Sequence, residues 1–144
     1  MTLLDFKIKH SEIIEYFQIV EEQLKIIYSI IVPGDINQTL LEIEEYKLNQ
    51  IIKDLYKLDF DKSIIDDNDS LFIKNDLKVK RDYYFYKCFK EFHHSRNLEK
   101  SKKFNDVCSI LESDLKQIKA LQKNLKKSKT KAELIYRNKK IETN

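Results

Sequence analysis

The sequence contains one proline and one glycine, and the two are neighbours, Pro33-Gly34. Turn-rich β-sandwiches, glycine-rich phosphate loops and proline-rich linkers all need residues suited to unusual backbone angles, so those architectures are set aside. What remains is an all-α chain whose helices are separated by polar stretches. Its 144 residues, 42% hydrophobic and 35% charged, supply one domain with a modest core. No strictly apolar run approaches the roughly 18 to 20 residues that a bilayer crossing needs. The opening MTLLDFKIKH lacks the layout of a signal peptide, and a soluble, cytoplasmic protein is the expectation.

Apolar periodicity places the helices. Ile13, Phe17, Val20, Leu24, Ile27 and Ile31 recur at alternating spacings of four and three, one stripe of an amphipathic helix that should stop at Pro33-Gly34. Thr39-Leu-Leu-Glu42 reads as a capping box opening a second helix, with Leu41, Leu48, Ile51, Ile52, Leu55 and Leu58 turned inward. Residues 59–70, DFDKSIIDDNDS, lose the helical period and gather side chains that cap or turn, which marks a connecting loop. A third helix from about Ser70 to His94 carries Leu77, Tyr84, Cys88, Phe89 and Phe92, and a bend is expected between Ser95 and Ser101. A fourth helix sets Phe104, Cys108, Leu111, Leu115, Ile118, Gln122 and Leu125 in a heptad-like seam. Residues 1–127 thus read as a single domain, a four-to-five-helix up-and-down bundle, and 128–144 as a basic helix extension or tail. Helices of this length leave flanks that one bundle cannot cover, which points to a homodimer.

The net charge of +3 conceals a division along the chain. Residues 1–70 carry 7 basic and 15 acidic side chains, residues 71–144 carry 20 and 9. Such polarity suits the docking of halves or copies, or contact with phosphate backbones. Of the 27 basic residues 24 are lysines, which neutralise phosphate without the bidentate fork of arginine. Cys88 and Cys108 fall on apolar helical positions without CxxC spacing and read as buried free thiols. Only His10, His93 and His94 could join them, so neither a metal site nor a cofactor is expected.

The segment that could carry chemistry is Lys78-Val-Lys80-Arg81-Asp82-Tyr83-Tyr84-Phe85-Tyr86-Lys87. On a regular helix Asp82 and Tyr86 stand one turn apart on one face, with Arg81 on its shoulder. By itself this is a tyrosine-rich surface helix that packs its rings and leaves its hydroxyls in water. Lys80-Arg81-Asp82-Tyr83, followed at the expected distance by Tyr86, nevertheless resembles the signature of the HEPN superfamily (higher eukaryotes and prokaryotes nucleotide-binding). In those small helical bundles an Arg, then usually Asn, Asp or His, is followed by His at the fifth position or slightly later. Leu48-Asn-Gln-Ile-Ile-Lys-Asp-Leu-Tyr-Lys-Leu58 resembles the second helix of the same group, and the likeness extends loosely over residues 10–127.

The resemblance implies a dimeric bundle related to RNA-cleaving proteins of toxin–antitoxin and antiviral-defence systems, with RNA and an antitoxin or other protein as partners. In that chemistry, which needs no metal, a ribose 2′-hydroxyl attacks the adjacent phosphate. Arg81 then stabilises charge on the phosphate, Asp82 and Tyr86 fill the remaining catalytic positions, and Lys78, Lys80 and Lys87 contact RNA. Tyr86 stands where histidine is expected. A phenol with an ordinary pKa near 10 is only about 0.1% ionised at pH 7, so it shuttles protons far less well than imidazole. The centre therefore reads as degenerate, acting by RNA or protein binding. Two alternatives stay open, an active metal-independent endoribonuclease using Arg81, Asp82 and Tyr86, and a purely structural helical adaptor. His93, His94 and Arg96 lie further along, His93 about 18 Å beyond Arg81 on a straight helix, so they could serve that arginine only across two subunits.

Overall fold

A computed structural model describes residues 1–58 and 64–143, with side chains as far as Tyr136. The stripe helix, α1 (Leu3–Ile31), starts well before its first periodic residue because Thr2 and Asp5 form a reciprocal capping box. It ends at Val32, ahead of Pro33, and Gly34 takes φ +111°, a backbone state that an L side chain resists.

The expected second helix is two short ones, α2 (Ile36–Glu42) and α3 (Leu48–Lys57). Asp35, not Thr39, caps α2 by accepting from the Gln38 amide, and the Thr39 hydroxyl donates back to the Asp35 carbonyl. In one continuous helix Leu41 and Leu48 would share a face. The break at 43–47 resets that phase, so Leu41 is 66% exposed and Leu58 lies at the surface while Ile43 turns inward. Leu48, Ile51 and Leu55 are buried as the spacing predicts, and Ile52 is half-buried.

Of the expected loop at 59–70, residues 59–63 lie outside the described ones. Ile64 and Ile65 are buried and Asp66 caps the next helix. That helix, α4 (Asp67–Phe72), continues through a π turn (Ile73–Leu77), α5 (Lys78–Asp82), a second π turn (Tyr83–Lys87) and a 3-10 turn (Cys88–Glu91), one rod over 67–91. Asn97, with φ +46°, and a 3-10 turn (Leu98–Lys100) make the expected bend. The last helix, α6 (Lys102–Thr143), is helical straight across residue 127, and Ser128 and Ala132 extend its buried seam. Leu121 occupies the inward position expected for Gln122. The side chains of Arg137, Lys139 and Lys140, part of the expected basic tail, lie outside the described residues.

Contacts fix the directions of the three long elements. The pairs Leu3 with Glu99, Lys9 with Glu112 and Glu12 with Lys119 advance together, so α1 and α6 run parallel. Asp69 with Asn124 and Lys80 with Asp114 advance in opposite senses, so the rod is antiparallel to α6. The three long elements thus alternate in direction, and the short α2 and α3 between α1 and the rod take the place of the one longer helix expected there. At the other end Phe6, Phe92 and Phe104 meet at centroid distances of 5.1 to 5.8 Å. Each of these buried rings stabilises the fold by roughly 1.5–3 kcal/mol. Among the described residues there is no strand, and no helix is long and apolar enough to cross a membrane.

Candidate functional site

The second π turn begins immediately after Asp82, inside the segment singled out from the sequence. A π turn pairs residue i with i+5 and frees carbonyls from the regular ladder. Here the Tyr84 carbonyl accepts from His10 Nε2 of α1 at 2.7 Å, and the Cys88 thiol points at it from 3.7 Å. A carbonyl only accepts, so Nε2 carries the imidazole proton. The His10 ring is held edge-on against Phe89, 4.7 Å between centroids.

Arg81 is half-buried, its side chain 17% exposed, and its guanidinium is already engaged. Nε and Nη2 donate to Asp82 Oδ1 at 3.2 and 3.0 Å, and Nη1 reaches Glu21 Oε2 of α1 at 3.5 Å. Its carbon lies 5.8 Å from the centre of the Phe85 ring. Asp82 is also within 3.9 Å of Lys78. Arg81 and Asp82 are thus brought together, with Glu21 as a third member. Tyr86 stands apart from this cluster. It is 66% exposed, its ring is beside Phe85, and its hydroxyl makes no hydrogen bond among the described residues.

The lysines of the segment diverge. Lys80 turns inward to an ion pair with Asp114 of α6 and also reaches Gln117. The other Asp114 oxygen accepts from the Tyr84 hydroxyl, and both Asp114 and Tyr84 are buried. Burial and the neighbouring carboxylate both disfavour the phenolate, so the Tyr84 pKa is driven far above its ordinary value. Burial likewise raises Tyr83, whose hydroxyl donates to Glu91, and pushes the Cys88 thiol up to about 11. Lys87 is exposed, and Lys78 borders a cleft facing α3.

His93 Nδ1 donates to the Phe89 carbonyl, a carbonyl-capping contact common at helix ends, and the His94 ring lies tilted beside the His93 ring, 3.6 Å between centroids. Cys88 and Cys108 are buried free thiols. Among the described residues no group of three or more His, Cys, Asp or Glu side chains is placed to hold a metal ion. Sequence patterning did not single out Glu21 or Asp114. An acid at 114, on the shoulder of the Leu111–Leu115 seam, is the one signal that could have found the second. No family model, no curated protein and no solved structure matches this chain.

Proposed function

We propose that this chain is a HEPN-like RNA-binding protein with a degenerate centre, one that holds RNA without cleaving it. The observation that carries the reading is the state of the motif itself. Arg81 is matched by two carboxylates, and Tyr86, in the place of the family's histidine, projects into solvent apart from it. A phosphate reaching Arg81 has to compete with Asp82 and Glu21, and no imidazole occupies the expected place to move a proton. The basic second half of the chain still favours a polyanion. On the same reading the protein is a cytoplasmic homodimer from a toxin–antitoxin or defence setting, with an antitoxin-like protein as a second partner.

The test combines RNA binding with a cleavage assay in the presence of chelator. The expected result is salt-sensitive binding by the parent and no cleavage. Cleavage by the parent that is lost in Tyr86→Phe would establish the endoribonuclease using Arg81, Asp82 and Tyr86 instead. A parent that neither binds nor cleaves RNA would leave the structural adaptor.

A further inference from the structure

Lys53 and Lys57 lie four residues apart on the exposed side of α3, and Lys74 and Lys78 lie four apart on the rod that faces it. The four line one cleft of ≈ 590 Å³. Like charges at this spacing weaken a regular helix such as α3, and the lysines of the rod set further positive charge across the gap. Among the described residues no carboxylate pairs with Lys53, Lys57 or Lys74, and Lys78 has only Asp82 at 3.9 Å. Four lysines on the walls of one cleft, with no carboxylate nearer than 3.9 Å among the described residues, make it a place that favours an anion.

Between the lysines stands Tyr56. Its hydroxyl donates to the Ser70 carbonyl on the rod, which fixes the ring in the cleft, and the Lys74 ammonium lies 5.8 Å from the ring centre. Asn49 and Asn75 add amide donors and acceptors to the same walls. A groove of cations around a fixed aromatic ring matches the chemistry that holds a single strand, phosphates on the lysines and a base face on the ring. A duplex keeps its base faces stacked and has none to offer.

We propose that the cleft between α3 and the rod is a binding track for single-stranded RNA, with backbone phosphates on Lys53, Lys57, Lys74 and Lys78 and one base stacked on Tyr56. This rests on the RNA-binding reading above and moves the binding surface away from Arg81. The experiment measures anisotropy of a short labelled oligouridylate, with the matching duplex and polyglutamate as competitors, over a range of salt. The parent should prefer the single strand. Lys53→Gln/Lys74→Gln should lower the slope of log affinity on log salt by about 1.4, roughly 0.7 for each phosphate no longer neutralised, and weaken binding about tenfold at low salt. Tyr56→Leu should weaken single-strand binding about tenfold and leave the slope unchanged. The control is Lys102→Gln/Lys103→Gln, two exposed lysines at the start of α6, which should leave both quantities near the parent's. Equal losses in the control, or parent-like binding by the cleft variants, would overturn the track while leaving RNA binding intact. Polyglutamate binding that needs the lysines but ignores Tyr56→Leu would make the cleft an acidic-protein surface. A parent that binds no RNA overturns this proposal together with the reading it rests on.

Discussion

At the scale of single residues, the decisive facts are which carboxylate each cation of the segment has found. Lys80 meets a buried acid, so Asp114→Ala leaves the buried Tyr84 phenol without its acceptor and the one-third-exposed ammonium with Gln117 alone; a loss of about 1–3 kcal/mol in urea unfolding is expected. Tyr84→Phe removes one hydrogen bond and leaves the Lys80 pair, which should cost about 1–3 kcal/mol. The raised pKa values give the alkaline limb its sign. Cys88 titrates near 9.0 when unfolded and about 11 when folded, and Tyr83 and Tyr84 are shifted in the same direction. Each binds its proton more tightly in the native state, so its contribution is complete below the unfolded pKa and is lost as pH rises through the folded one. Stability should therefore decline from about pH 9 upward, more gently in Cys88→Ala and Tyr84→Phe, as pH-dependent denaturation can measure. Tyr86 tests the proposed degenerate centre directly. Glu21→Gln/Tyr86→His frees one contact of Arg81 and introduces an imidazole at the position that the proposal assigns to proton transfer, and chelator-resistant RNA cleavage should rise above the parent by less than the roughly 10² of a well-placed general base, because position 86 stands apart from Arg81. Adding Arg81→Ala should remove that gain; a gain that survives it would count against any role for Arg81.

At the scale of elements, the rod over 67–91 departs most from a regular helix, and the departure is what joins it to α1. The second π turn turns the Tyr84 carbonyl to His10, a contact between residues 74 positions apart. His10→Ala leaves that carbonyl with only the weak Cys88 thiol donor and opens space beside Phe89. We expect a loss of about 1–3 kcal/mol, with faster amide exchange concentrated over 84–88. Exchange that quickens uniformly along the rod would show that His10 supports general packing instead. The same turn explains why Asp82 and Tyr86 do not act as a pair, since α-helical spacing stops at Asp82. The split of the expected second helix has a comparable effect, exposing Leu41 and freeing α3 to set its lysines opposite the rod.

At the scale of the whole molecule, α1 and α6 lie parallel with the rod antiparallel beside them, and apolar side chains are left outside this core. Leu71, Val79 and Tyr86 are exposed along the rod. The proposed homodimer covers such a face with a second copy, and light scattering at micromolar concentration should give twice the chain mass. Leu71→Glu, an exposed position outside the lysine cleft, should shift that mass toward the monomer without loss of helical circular dichroism. A parent that is monomeric throughout the range contradicts the dimer.

Several features were legible in the chain because local chemistry determines them. The stripe from Ile13 to Ile31, its end before Pro33, the bend near Asn97 and the seam of α6 follow from period and turn preference over a few residues. Glu21 beside Arg81, Asp114 beneath Lys80, His10 at the Tyr84 carbonyl and Tyr56 at the Ser70 carbonyl join residues between 14 and 74 positions apart. No period encodes them, because each depends on how far the helices slide and rotate against one another. Two inserted π turns and one broken helix set that rotation, and they decide that Arg81 meets carboxylates while Lys53, Lys57 and Lys74 meet none among the described residues.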